Sequence, residues 1–250
     1  MDIAPEIYEQ IKKDFAEGIR SDAELNRLAK KIKAGKGTQR DVSDLADRFG
    51  VQASKALKAN LILEQMPDQT LYWNIAEKTI KPLLMQSYKN INGFATVQLE
   101  SADKKGNISI EIIPGRYPEN RIDQVMNFAV DSKTQTELDN ALTDPVIAAN
   151  RKFYDDFQKD NAELREDLGF WEYVQRDYDD RGLHFGTKYH TDCEWCLEKA
   201  GTWKYSEARA AGVFQRHPGC NCHIEVYTDK QGGRVTNRQI DWHHNEWELQ

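Results

Sequence analysis

The chain has 250 residues, with 34 Lys and Arg against 41 Asp and Glu, a formal charge of −7 and 39% hydrophobic side chains. A mean hydropathy of −0.77, and no window approaching the ~18 consecutive apolar residues of a spanning helix, argue against an integral membrane protein. The acidic balance argues against a general nucleic-acid coat, which needs a basic face, and the start Met1-Asp2-Ile3-Ala4-Pro5-Glu6 lacks the basic and apolar regions of a secretory signal.

Residues 1–92 read as helical. Ile7, Ile11, Phe15 and Ile19 recur every four residues, and Leu25, Leu28 and Ile32 continue the apolar face. Gly35-Lys36-Gly37 interrupts it. Thr38, with Asp41 three residues on, is an expected helix start, because a hydroxyl and a carboxylate there meet backbone N–H groups that lack partners. Val42, Leu45, Ala46, Phe49 and Ala53 form the next stripe, Pro67-Asp68 a break, and Leu71, Ile75, Ile80, Leu83 and Leu84 a third helix. The expectation is a bundle used for packing or oligomerisation.

Residues 93–182 change character. Ala95–Leu99 alternates, Lys104-Lys105-Gly106-Asn107 offers a turn, and Ile108–Ile112 alternates again, which predicts a central β-hairpin. Ile122, Val125, Met126 and Ala129 predict a short helix. From 137 to 180 a long acidic helix is expected, carrying Phe153, Phe157, Leu164, Leu168 and Trp171. Residues 152–182 hold ten acids against five bases, a pattern typical of a solvated helix face.

Residues 183–250 hold all four cysteines, all six histidines and four of the six tryptophans. Cys193-x-x-Cys196 is followed, after 23 residues, by Cys220-x-Cys222, with His217-Pro218-Gly219 just before it. A CxxC turn brings two sulfurs to one side of the backbone, and residues two apart in an extended segment share a face. Two such pairs can close a tetrahedral thiolate site, with His217 replacing one sulfur or bonding to it. Clustered cysteines favour a metal in a reducing compartment over a disulfide framework, and soft thiolates favour zinc. The expected cofactor is one structural zinc per chain in a small β module. Unligated or disulfide-paired cysteines are the alternative. Gly201-Thr202-Trp203 reads as a turn into a strand, and His223–Tyr227 as a strand leading through Lys230–Gly233 to Arg234-Val235-Thr236.

Cys193, Cys196, Gly201, Thr202, Trp203, Tyr205, Phe214, Arg216, His217, Pro218, Cys220 and Cys222 together resemble the C-terminal module of phage minor capsid proteins, in the head-morphogenesis group related to the Mu F protein. The match covers about 35 of the 250 residues. The resemblance implies a non-enzymatic structural protein of a tailed phage or prophage. It would sit in the virion head, after assembly in the host cytoplasm, and contact portal or major capsid protein, other copies of itself and packaged DNA.

Two other readings come from the residues themselves, and a third from the resemblance. Lys188, Lys199, Lys204, Arg209 and Arg216, interleaved with Trp195, Trp203 and Tyr205, suggest a zinc-ribbon nucleic-acid surface in which Arg216 and Lys204 would make the contacts, although Asp192, Glu194, Glu198 and Glu207 dilute it. Asp241-Trp242-His243-His244-Asn245 suggests an HNH-type nuclease, but only six residues follow His244 where a strand and helix are needed. A small acidic phage protein can also serve as an inhibitor of a host factor. The sequence as a whole predicts an α+β fold: helical N-terminal region, central hairpin, long acidic helix and zinc-stabilised C-terminal β module.

Overall fold

The computed structural model describes residues 3–170, 172–178, 194–216, 220 and 222–228. Helices α1 (Ala4–Ser21), α2 (Ala23–Lys33) and α3 (Gln39–Asn60) open the chain. The cap expected at Thr38 is present: its hydroxyl accepts from the Asp41 N–H, and the Asp41 carboxylate accepts from the Thr38 N–H at 2.7 Å. Asp22 caps α2 and also accepts from Arg48 and Gln52, each at 2.9 Å, so one carboxylate fixes the α1–α2 corner against α3. Two short 3₁₀ turns, Leu63–Gln65 and Pro67–Gln69, form the break expected at Pro67-Asp68.

The central hairpin is not formed. Helix α4 runs from Trp73 to Gly106 and takes in Ala95–Leu99. Ile80, Leu83, Leu84, Ser87, Ile91, Ala95 and Gln98 are all buried along it, and that 3.6-residue period, sustained over several turns, outweighs a five-residue alternation. The turn residues have another job: Asn107 adopts the left-handed conformation (φ 52°) and ends the helix. Position 92 lies inside α4, and a single apolar core extends from Ala4 to Phe157.

After α4 the alternating segment Ile108–Ile112 forms no strand, and the strap that continues it, Ile113 to Arg116, is held by side chains. Asn161 accepts from the Ile113 N–H at 3.0 Å and donates to the Ile113 carbonyl at 2.8 Å. Asn92 accepts from the Gly115 N–H at 2.8 Å, Tyr88 donates to the Gly115 carbonyl at 2.6 Å, and Asp160 accepts from the Arg116 N–H at 2.8 Å. These bonds satisfy a backbone with no ladder of its own.

Helices α5 (Glu119–Asp131), α6 (Gln135–Ala141) and α7 (Asp144–Asp167) follow. The acidic helix expected to reach 180 stops at Asp167, where Gly169 turns left-handed (φ +83°). Its acids are only partly a solvated face: Asp144, Glu166 and Asp167 are exposed, whereas Asp155, Asp156 and Asp160 are buried. The next residues form β1 (Glu172–Asp177). Helix α8 (Glu194–Lys199), β2 (Gly201–Lys204), helix α9 (Tyr205–Ala211) and β3 (His223–Thr228) complete the described chain. β1 is the centre of an antiparallel sheet ordered β2-β1-β3. The strands read at Gly201 and His223 are therefore present, but β3 pairs with β1; the hairpin expected toward Arg234 lies outside the described residues.

The fold is α+β, mainly helical with this small sheet. A second core of Val174, Tyr205, Ala208, Val213, Phe214 and Ile224 rests on Ala162 of α7. No helix among the described residues is long and apolar enough to cross a membrane. Two glycines allow close packing: a Cβ at Gly50 would lie 2.8 Å from the Ile147 Cα, and one at Gly115 would lie 2.4 Å from the Phe157 N.

Gly115→Ala is expected to cost about 2 kcal/mol or more, since its methyl would meet backbone rather than a movable side chain. Urea denaturation against the wild type measures this; Gly93→Ala, whose Cβ meets nothing within 4 Å, serves as the control.

Candidate metal centre

Cys196 on α8 is buried at 2% exposure, and Cys220 and Cys222, in the segment entering β3, at 3% and 1%. Their sulfurs all lie within 4.8 Å of one another. Between Cys196 Sγ and Cys220 Sγ the separation is 3.7 Å. A disulfide needs about 2.05 Å, whereas two ligands of a tetrahedral ion with ~2.3 Å metal–sulfur bonds sit about 3.8 Å apart. This buried group can hold a metal ion. Cys193 and His217, the other two expected ligands, lie outside the described residues.

Separate elements bring the three sulfurs together. Helix α8 contributes Cys196 one residue after Trp195, and the entry to β3 presents Cys220 and Cys222. Tyr178 and Trp195 pack against the cluster. Around it stand three arginines, of which the sequence marked only Arg216, and that one for nucleic acid. Arg176 Nη2 donates to Cys220 Sγ at 3.3 Å and approaches Cys196 Sγ at 3.7 Å. Arg216 Nη1 lies 4.0 Å from Cys220 Sγ and also donates to the Cys222 carbonyl, while Arg151 bridges Asp47 and the Cys220 carbonyl. Hydrogen bonds from Cys196 and Cys222, followed by the charges of Arg216 and Arg176, hold the Cys220 thiol far below its ordinary range. Cys196, hydrogen-bonded to Cys220 and Cys222 and buried, is pushed far up.

The side chains expected to meet nucleic acid are differently placed. Arg216 is turned inward: its side chain is 7% exposed and ion-paired to Asp155, which is 1% exposed, with Nη2 2.9 Å from Oδ1. Lys204 is exposed at the end of β2. Of the other bases considered with them, Arg209 pairs with Glu163 at 2.6 Å and Lys199 donates to the Ala211 carbonyl at 2.9 Å. Asp241–Asn245 lies outside the described residues. Arg176 had no readable signal, since an arginine on the inward face of a strand looks like any charged residue near a helix end.

The sheet is fastened to the helices near the centre. Gln39, in the first turn of α3, accepts from the Val226 N–H at 2.7 Å and donates to its carbonyl, so its amide completes the outer edge of β3. Tyr205 donates to the Lys159 carbonyl at 3.2 Å. Comparison with known proteins gives no matching family model, curated protein or solved structure.

Two outcomes follow from this geometry. Arg216→Met leaves Asp155 buried without a partner and should cost about 3 kcal/mol or more, much of it recovered in Asp155→Leu/Arg216→Met; a double-mutant cycle in urea checks it. Glu225, beside Asp177, is raised from 4.5 to about 7, chiefly by burial and then by the Asp177 charge, with Arg40 opposing. Between those values the folded chain binds more protons than the unfolded chain, so this group's contribution falls as pH rises from about 4.5 to 7. The stability of Glu225→Gln relative to wild type should therefore grow across that window and level off above it, as read from melting curves.

Proposed function

We propose that the chain is a structural protein whose cysteine centre binds one zinc ion and locks the C-terminal sheet onto the helical body. In the role implied by its motif, it acts as a minor capsid or head-morphogenesis component of a tailed phage. The observation that carries the zinc reading is the 3.7 Å spacing of two buried sulfurs, with a third close by, matched to tetrahedral thiolate coordination. Cys196, Cys220 and Cys222 would hold the ion, with Cys193 or His217 as the fourth ligand. A centre so closed leaves no position for substrate, so this reading assigns it stability and no turnover.

The size of the module supports the same role. Its own core comprises a handful of apolar side chains, too few to fold independently without a staple. A closed metal site supplies one, because binding to an assembled set of ligands is itself folding free energy.

The motif residues have structural work that fits a packing module. Gly201–Trp203 lies in β2, and the Tyr205 and Phe214 rings meet at 6.0 Å in the second core. Arg216 braces the cysteine segment against α7. Partners in this reading are portal or major capsid protein, with the helical body as the contact surface, and the protein ends in the virion head.

Elemental analysis should find about one zinc per chain. Cys196→Ser should lose the metal and the cooperative melting of the sheet while keeping most of the helical circular dichroism. Full metal content in that variant would refute the site. Co-expression with portal and major capsid protein, followed by sedimentation of assembled heads, tests the role. The chain should travel with the heads, and its absence from them would refute the capsid assignment while leaving the metal site standing.

A further inference from the structure

The centre is defined as much by the cation against it as by its sulfurs. Arg176 sits on β1, where alternation places it on the same face as Val174, and it is fully buried. A guanidinium stays charged at every accessible pH, and a buried charge without a counter-charge is strongly unfavourable. Among the described residues no carboxylate forms an ion pair with Arg176. Its Nη1 donates to the carbonyls of Val213 and Gln215, the latter at 2.7 Å, and its Cζ lies 5.0 Å from the Trp195 ring centre. Those groups solvate a cation without neutralising it. The remaining contacts are Cys220 Sγ at 3.3 Å and Cys196 Sγ at 3.7 Å.

Arg216 differs, because Asp155 already neutralises it. The charge left for the cysteines to balance is the single positive charge of Arg176. A divalent ion with two thiolates and two neutral ligands is neutral and leaves Arg176 uncompensated. With three thiolates and a neutral fourth ligand the centre carries −1 and cancels Arg176; with four thiolates it carries −2.

We infer that Arg176 is the buried counter-ion of an anionic metal–thiolate centre, in which Cys196, Cys220 and Cys222 all bind as thiolates. This inference rests on the zinc reading above. It makes Arg176 a positioning residue for the metal: its N–H groups hold the Cys196 and Cys220 sulfurs, and its charge offsets the excess negative charge of the ligands. Loss of such an outer partner typically lowers metal affinity about 10–100-fold.

The test uses the full chain as wild type, Arg176→Met and Arg176→Lys. Zinc affinity is measured by competition with a chromophoric chelator, and ligand count by the sulfur-to-metal absorption of the cobalt(II)-substituted protein. Wild type should show cobalt absorption for at least three thiolates. Arg176→Met should bind zinc about 10–100-fold more weakly, and Arg176→Lys, which keeps the charge, should recover most of that loss. Equal affinity in wild type and Arg176→Met would overturn the inference, as would a lysine variant no better than the methionine one. If Arg176→Met does not fold, the wild-type cobalt spectrum still decides: fewer than three thiolates overturns the charge argument. A wild-type chain that binds neither metal overturns the zinc reading and this inference with it, whereas failure confined to the variants leaves the zinc reading intact.

Discussion

Asp155, in the middle of α7, is 1% exposed and takes both arms of Arg216, whose remaining nitrogen reaches the carbonyl of Cys222. Through this pair the helical body holds the segment that carries two of the three clustered cysteines. In that segment the carbonyls of Cys220 and Cys222 take their donors from arginine side chains. Arg216 serves Cys222, and Arg151, anchored on Asp47 of α3, serves Cys220. Buried polar networks of this kind rigidify only when every member is satisfied, which makes the position of the cysteines depend on the helices beneath them.

The same dependence runs in the opposite direction. The sheet's core is small and rests on Ala162, and its outer edge is completed by an amide from α3, Gln39, itself contacted by Gln158 of α7 at 2.6 Å. The seam between sheet and helices is therefore built from side-chain hydrogen bonds and ion pairs, with modest apolar contact. Such seams are directional, since a carboxylate and a guanidinium must meet at the right distance and angle. A metal ion at the cysteines would set that geometry, because it fixes the segment from which the Arg216 and Arg151 contacts are made.

Within the helical body the strap after α4 shows the same use of side chains in place of backbone pairing. Asn161, Asn92, Asp160 and Tyr88 together satisfy the backbone of Ile113, Gly115 and Arg116 from α4 and α7. Gly115 is the place where that chain lies directly against α7. The buried acids of α7 are thereby divided among separate tasks: Asp160 holds the strap, Asp155 the cysteine segment, and Asp156 pairs with Lys152.

The sequence by itself determined the helical N-terminal region, though not the corner at Asp22 that divides its first apolar face into α1 and α2, together with the cap at Thr38, the break at Pro67-Asp68, the strands at Gly201 and His223, and the convergence of Cys196 with Cys220 and Cys222. Each of these rests on neighbours in the chain: apolar periodicity, a capping pair, paired sulfurs at short spacing. What only the tertiary structure decided is the fate of segments whose local pattern admits two answers. Ala95–Leu99 alternates like a strand but continues a helix, because the residues before it already present a buried face in helical register. Asp155 and Asp160 of α7 look in sequence like part of a solvated face, and their burial depends on an arginine and a backbone group far along the chain: Arg216 lies 61 residues from Asp155. Arg176 belongs to the same class. A buried charge is set by what surrounds it in space, and periodicity records only which residues share a face.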